Sequence, residues 1–287
     1  MLTKTTTLVL VLLATATGCS GAVVNVGADP QDAGSSEGGP SVDGSGGPTG
    51  PLVIIHVRAT EAAFPQTDGF AAQTARNEKI GISGLTLMTS ASDPSPLKVY
   101  EGASVEAGLN DKDDTIVAKV SAKSLKGGTY TVARVPVSHV RYTVAGAYHA
   151  AGITAPGDFI DVMVFTNGTT IDGVSHDQGW FSSSFATGGT TYGPATGMNP
   201  LPGVDAGGFK LVTAGGHAYY EFAISPIVVD PGVANDVNVI FEVNTNLDFH
   251  WQDLPTAGYA PKVFDVEMAT YEPVKKFGAN SFRIFYE

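Results

Sequence analysis

Residues 237–244 read Val-Asn-Val-Ile-Phe-Glu-Val-Asn, and this stretch decides the fold class. Val237, Val239, Phe241 and Val243 recur at every second position, and polar side chains occupy most of the positions between them. Because successive side chains of a β-strand point to opposite faces of the sheet, this alternation is typical of a strand with one buried face. The stretch therefore predicts a half-buried strand of an antiparallel sheet.

The same alternation recurs along the rest of the chain. It is clearest at residues 140–144, 219–224, 264–268 and 281–286. Further candidate strands are 52–58, 80–88, 97–100, 116–121, 129–137, 159–166, 180–186 and 209–213. The 35 glycines and 17 prolines cluster between these segments, as turn residues do. The sequence therefore predicts an all-β fold, an antiparallel β-sandwich with long loops over residues 52–287, with two smaller sandwiches divided within 187–208 as the alternative.

Three segments interrupt the pattern of short strands. Residues 69–79 are the best candidate for a short helix, and the Gly/Pro-rich residues 187–208 are predicted to form a long loop. Pro136 either divides 129–144 into two strands or marks an edge strand or a bulge, because proline cannot donate to a strand ladder.

The beginning of the chain has the organisation of a secretory signal. Lys4 precedes the apolar run at 8–14, which is far shorter than the ~20 residues of a membrane-spanning helix. The sequence ATGC at 16–19 then resembles the lipobox of bacterial lipoproteins, in which the chain is cut before a cysteine that becomes lipidated. The resemblance implies a membrane anchor at Cys19, and Ser20 after it favours outer-membrane sorting. The alternative is an ordinary secretory signal that leaves Cys19 as a free thiol.

A tether follows the signal peptide at 1–18. Residues 20–50 hold nine glycines and four acids, without Lys, Arg or aromatic residues. Such a segment buries too little apolar surface to offset the entropy lost on ordering. We therefore expect residues 19–51 to be a disordered tether that holds the domain at 52–287 away from the membrane.

The charge balance limits the partners. The chain carries 28 acidic and 16 basic residues, for a net charge of −12. Without a cluster of Lys and Arg, this charge argues against nucleic acid and against anionic lipid head groups as partners. The expected partners are the lipid bilayer, through acylated Cys19, and an envelope protein or a glycan. The expected location is the outer membrane, on its periplasmic or cell-surface face.

Five segments of the chain carry a family resemblance. They are FPQTDGFAAQTARNEKIGISGL (64–85), VEAGLNDKDDTIVAKV (105–120), VSHVRYTVAG (137–146), PGDFIDVMVFTNGTTIDG (156–173) and TAGYAPKVFDVEMATYEPVKKFGANSF (256–282). Together they resemble an uncharacterised family of predicted bacterial surface lipoproteins. The resemblance implies an anchored lipoprotein, and it implies no activity and no catalytic residue.

The two tryptophans are candidates for a sugar-binding site because polar side chains surround both. An exposed aromatic face beside hydrogen-bonding groups is what recognition of a neutral sugar needs. The candidate ligand-binding residues are Trp180, Trp251, Asp177, Asp253, His176 and His250. The alternative is that both tryptophans fill the core or cap its ends. His176 with Asp177, and His250 with Asp253, are also candidate acid–base pairs of a hydrolase.

An acidic string at 110–114 is a candidate calcium site. Asp111, Asp113 and Asp114 would supply the oxygen ligands that Ca²⁺ prefers. The string lacks the central glycine and distal glutamate of an EF-hand loop. The alternative is an acidic turn between strands, where Asn and Asp bond readily to the local backbone.

Sequence motifs of enzymes are missing from the chain. The predicted domain at 52–287 has no G-x-S-x-G elbow, and the chain has no H-E-x-x-H string, P-loop or dinucleotide fingerprint, while its six histidines are scattered. The sequence predicts a non-enzymatic, lipid-anchored protein without a cofactor, in a structural or binding role. A neutral-carbohydrate-binding module is the first alternative, and a hydrolase with an unrecognised His/Asp site is the second.

Overall fold

The computed structural model describes residues 50–150, 152–199, 201, 205–206, 209–267 and 271–287. The predicted signal peptide, Cys19 and nearly all of the tether lie outside these residues. Within them, no helix is long and apolar enough to cross a membrane. A single 3-10 turn is assigned to Ala122–Ser124 in the described ranges.

The described residues are built almost entirely from strands. In chain order these are β1 (Leu52–Thr60), β2 (Ala71–Gln73), β3 (Arg76–Met88), β4 (Leu97–Gly108), β5 (Asp114–Ser121), β6 (Gly128–Ala150), β7 (Ile153–Val164), β8 (Thr169–Ile171), β9 (Val174–His176), β10 (Trp180–Thr187), β11 (Thr190–Met198), β12 (Asp205–Ala206), β13 (Phe209–Ala214), β14 (His217–Val229), β15 (Val237–Asn244), β16 (Phe249–Trp251), β17 (Asp265–Glu267), β18 (Val274–Lys276) and β19 (Ser281–Tyr286).

Two sheets pack face to face and confirm the predicted all-β sandwich. The smaller sheet has the order β19-β15-β1-β5, and the larger one has the order β11-β10-β7-β6-β14-β13-β12 with β3, β4 and β17 attached. Along β1, Val53, Ile55, Val57 and Ala59 are buried in the common core, and the side chains between them are partly exposed. This is the burial pattern that a period of two predicts. A three-stranded sheet, β18-β16-β2, packs on the larger sheet through Phe249.

The long strand β6 organises the larger sheet. On one edge it pairs with β14 over residues 128–137 and with β7 over residues 139–150. On the other edge it pairs with β3 and β17. The change of partner falls at Ser138, whose carbonyl oxygen accepts hydrogen bonds from the backbone N–H groups of Phe165 and Thr166, at 2.7 and 3.2 Å. The backbone of β6 is therefore irregular at Ser138, where its carbonyl oxygen is nevertheless hydrogen-bonded.

Strand β15, at residues 237–244, is not paired as the sequence predicts. Strand β15 runs antiparallel to β19 but parallel to β1, with Val53 opposite Val237. A parallel pair needs a long crossover connection, and here nearly the whole larger sheet lies between the two strands in sequence. Phe241 and Val243 are buried as predicted, but Ile240 and Asn244 on the other face are buried too, so the second half of β15 is buried on both faces. The purely antiparallel sheet is corrected to a mixed one.

The segments that interrupt the pattern are also strands. Residues 69–79 contain β2 and the start of β3 rather than a helix, because Ala71–Gln73 pairs with β16. Residues 187–208 contain β11, which forms a hairpin with β10, instead of one long loop. Pro136 lies within a continuous β6, where the ladder to β3 is interrupted. Its missing N–H is therefore tolerated, as the bulge interpretation predicts.

Candidate functional site

Trp251 is part of the hydrophobic core. Its side chain is 1% exposed, and its ring lies 5.9 Å from the rings of both Phe249 and Phe264. Among the described residues, none accepts a hydrogen bond from the buried indole Nε1–H. The structure therefore corrects the sugar-binding prediction for this residue, because no face of Trp251 is open to a ligand.

Trp180 is half-buried at the start of β10. The imidazole of His176 stacks on its indole, with 3.6 Å between ring centroids and 20° between ring planes. Its backbone N–H donates to the carbonyl of Asp177, which closes a turn before the strand. Because His176 covers one face of Trp180 and Trp251 is buried, the two tryptophans do not form a common platform for a sugar.

The second predicted acid–base pair is replaced by another. His250 is 1% exposed, and its Nδ1 lies 2.6 Å from a carboxylate oxygen of Asp68. Asp253 instead accepts a hydrogen bond from the backbone N–H of Lys262 at 2.9 Å. The buried His250 is therefore held by Asp68, which precedes β2, and it does not form the predicted pair with Asp253.

The three predicted calcium ligands contact different partners and do not form a common site. Asp113 accepts from the backbone N–H of Asn110, and Asp111 accepts from the backbone N–H of Glu61. The carboxylate of Asp114 contacts His56 and Arg58 of β1, which lower its pKa against the raising effect of burial. In the described part of the chain, no group of three or more His, Cys, Asp or Glu residues is arranged to hold a metal ion. The acidic turn is therefore the interpretation that the structure favours.

An apolar pocket lies between the two sheets, and the sequence did not predict it. Its volume is about 170 Å³. One wall comes from β1, β15 and β19, and the other from β3, β4 and β14. The lining residues are Val53, Leu85, Leu87, Val99, Leu125, Ile227, Val228, Val229, Asp230, Val233, Val237, Val239 and Tyr286.

The mouth of the pocket is also apolar. Val228 and Tyr286 line it and are 63% and 60% exposed. Asp230 is the one charged residue in the lining, and its carboxylate accepts a hydrogen bond from the backbone N–H of Gly232 at 2.8 Å. The pocket therefore presents almost no hydrogen-bonding capacity to a molecule inside it.

Irregular pairing in β14 shapes one wall of the pocket. This strand pairs with β6 in one register up to Ala223, the register then shifts, and pairing resumes at Ile227. Pro226 lies in the interruption, where it removes a donor from the ladder. The shift places Ile227, Val228 and Val229 along the opening between the sheets.

The fold and the pocket define a β-sandwich protein with an apolar cavity between its sheets. Models of protein families, curated proteins and solved structures were compared with the chain, and none matches it significantly.

Proposed function

We propose that this chain is a lipid-anchored protein of the cell envelope whose β-sandwich binds a small, uncharged, apolar molecule. The observation that supports the binding role is the pocket between the sheets, with twelve apolar residues among its thirteen lining residues. Ligand sites in proteins are concave and mostly apolar, and a pocket open to solvent offers such a site without rearrangement of the fold.

The size and polarity of the pocket define the ligand class. An engineered apolar cavity of about 150 Å³ stays dry and binds benzene. The pocket here, at about 170 Å³, suits a molecule with one aromatic ring or a short alkyl chain. An anionic ligand is disfavoured, because its charge would lose its hydration there and Asp230 is the one charged group it would meet.

A bulky side chain at Val239 is expected to abolish binding. This residue lines the pocket from β15, and phenylalanine in its place would fill part of the volume. The parent domain should gain thermal stability when toluene or 1-hexanol is added, since a ligand that binds only the native state stabilises it by mass action. In Val239→Phe we expect affinity for both probes to fall at least about tenfold.

Val174→Phe is the matched control, because Val174 is 58% exposed and is not among the residues that line the pocket. Val228→Asp is a second test that leaves the interior untouched and adds a charge at the mouth. Binding should be unchanged in the control and weaker in Val228→Asp. Equal binding by the parent and Val239→Phe, or no response of the parent to either probe, would contradict the binding role.

The anchor is supported by the signal-like segment and the ATGC sequence at 16–19. Each methylene of an acyl chain buried in a bilayer contributes about 0.8 kcal/mol, and two or more chains hold a protein stably. We expect Cys19→Ala to move the full chain from the membrane to the soluble fraction, and Ser20→Ala to leave it bound. Retention of Cys19→Ala in washed membranes would refute the lipid anchor.

A further inference from the structure

Four side chains form a continuous hydrogen-bonded chain from the surface into the larger sheet. The hydroxyl oxygens of Ser104 and Ser138 are 2.7 Å apart, and Ser138 Oγ is 2.9 Å from Nδ1 of His139. On the other side of the ring, His139 Nε2 is 3.0 Å from a carboxylate oxygen of Glu106. Ser104 is exposed, whereas Ser138 and His139 are only 5% and 6% exposed.

A bulge in β6 brings two of these residues together. Neighbouring side chains of a regular strand point to opposite faces of the sheet. The pairs that β6 forms with Ile80 and Ile82 leave Ser138 and His139 opposite Gly81 alone. Two residues opposite one is a β-bulge, and bulges often re-aim side chains beside active sites.

Gly81 provides the space that the chain of hydrogen bonds crosses. A Cβ atom at this position would overlap with Oγ of Ser138 and with the ring of His139. Because Gly81 belongs to β3, the imidazole passes over that strand and reaches Glu106 on β4. A side chain at position 81 would separate the hydroxyls from the carboxylate.

A second irregularity places Ser104 at the exposed end. Between the pairs Ile82–Val105 and Gly84–Glu101, three residues of β4 lie opposite a single residue of β3. Ser104 is one of these three, and its hydroxyl turns toward the bulge of β6. The exposed hydroxyl is thereby fixed by two irregular strands and not by a free loop.

The charges around these four side chains determine which group donates and which accepts in each hydrogen bond. Lys79 and Arg141 lie 2.7 and 3.2 Å from the carboxylate of Glu106. Burial raises the pKa of Glu106, but the hydrogen bonds from Lys79 and His139 and the two positive charges outweigh it, so the pKa is lowered. Burial, together with the charges of Arg141 and Lys79, lowers the pKa of His139 against the raising effect of Glu106, so that the pKa of His139 is lowered. At neutral pH the carboxylate is therefore ionised and the imidazole is neutral.

The proton positions follow from these charge states. An ionised carboxylate only accepts hydrogen bonds, so Nε2 of His139 carries the ring proton and Nδ1 is the acceptor. Ser138 then donates to Nδ1, and its oxygen accepts the hydroxyl proton of Ser104. Every donor in the chain points from the exposed hydroxyl toward a base, which is the arrangement that activates a serine nucleophile.

We propose that Ser104 is the nucleophile of a carboxylic-ester hydrolase site, with Ser138 and His139 as its proton relay and Glu106 as the positioning residue. Ser104 Oγ forms a bond to the ester carbonyl carbon, its proton passes to Ser138, and the proton of Ser138 passes to His139. The bond from the carbonyl carbon to the alcohol oxygen then breaks, and the alcohol oxygen takes up the proton that His139 received. Water then cleaves the acyl-serine by the reverse relay, so one ester and one water yield one acid and one alcohol.

A fluorophosphonate probe tests the proposal directly. Activated serine oxygens form a bond to its phosphorus and release fluoride, whereas ordinary surface serines do not react. With the full chain we expect one adduct, located by peptide mass at Ser104 and absent from Ser104→Ala. Ser90→Ala, which removes another exposed serine, should label like the parent. The labelling rate should be half-maximal at a pH below the ordinary histidine pKa of about 6.5, because the pKa of His139 is lowered.

Two relay variants separate activation from simple exposure. Ser138→Ala removes the relay hydroxyl, and His139→Gln removes the base; each should slow labelling by at least about 100-fold in protein that still unfolds cooperatively. If His139→Gln does not fold, Ser138→Ala alone is sufficient to test the proposal. An adduct that forms as fast in folded Ser138→Ala as in the parent, or labelling of Ser104 no faster than of Ser90, overturns the proposal.

Discussion

Replacing Trp251 by alanine is expected to lower the free energy of unfolding by about 3–5 kcal/mol. The side chain is 1% exposed, and it packs against Phe249 and Phe264, each with 5.9 Å between ring centroids. Truncation removes this apolar contact and leaves a cavity that the surrounding rings fill only in part. The indole N–H has no acceptor among the described residues to lose, so the cost arises from packing. Urea unfolding followed by far-UV circular dichroism measures the loss without depending on tryptophan fluorescence.

Trp180→Ala is the matched control for this prediction. Trp180 is half-buried and makes one stacked contact with His176, so its truncation should cost less, about 1–2 kcal/mol. A loss in Trp251→Ala no larger than that in Trp180→Ala would contradict the placement of Trp251 in the core. The comparison also decides between the two interpretations of the tryptophans that the sequence leaves open, since a sugar-binding residue should be removable at little cost in stability.

The strands were predictable because their signal is local. Tyr220, Phe222 and Ile224 are buried and alternate with less buried neighbours, and a period of two determines which face of a strand is buried whatever it pairs with. The pairing itself is not local. Nothing in residues 237–244 distinguishes a neighbour that runs parallel from one that runs antiparallel, so the β1–β15 pair required the structure.

The hydroxyl–imidazole–carboxylate chain was hidden from the sequence for a different reason. In a regular strand Ser138 and His139 would lie on opposite faces, so their adjacency argues against a common site. The one available signal was Gly81, because a glycine inside an apolar strand often marks a bulge or a close approach. The sequence does not show which side chain uses that space, since the answer depends on the register of β3 against β6.

The pocket could not be predicted from the alternation of residues. Leu85, Val99 and Val239 have the pattern of ordinary core residues, and in most sandwiches side chains of this kind fill the space between the sheets. Whether a cavity remains depends on how the opposing side chains fit together. Here the shifted register of β14 moves part of one wall, which is a property of pairing and not of composition.

The second large effect concerns a buried pair of carboxyl groups, and we expect it to make stability fall as the pH rises. Glu78 of β3 and Asp248 before β16 are both 0% exposed. Asp248 accepts hydrogen bonds from the backbone N–H groups of Ala75 and Gly278, whereas the oxygens of Glu78 lack a partner with ordinary hydrogen-bond geometry. Burial, and then the charge of Asp248, raise the pKa of Glu78 well above its usual range. The pair therefore holds one proton on Glu78 in the folded protein.

The sign of the pH dependence follows from where that proton is bound. In the unfolded chain a glutamate ionises near pH 4.3, whereas in the folded protein Glu78 keeps its proton to much higher pH. Between these two values the folded state binds more protons, so each pH unit lowers the free energy of unfolding by about 1.4 kcal/mol for this group. The contribution is fully present below pH 4.3 and is lost as the pH rises toward the pKa of the folded state.

Glu78→Gln tests this argument, because glutamine has nearly the same shape and no proton to lose. We expect its stability to be close to that of the parent at pH 4.5 and to exceed it at pH 8 by more than the ~1.4 kcal/mol that one pH unit contributes, as measured by urea unfolding at both values. Glu267→Gln, an exposed glutamate of β17, should follow the parent at each pH. If Glu78→Gln loses stability between pH 4.5 and 8 as steeply as the parent, then Glu78 does not hold the proton, and the pH dependence must come from other buried carboxyls. Asp161 is one such carboxyl, because burial raises its pKa to about 6.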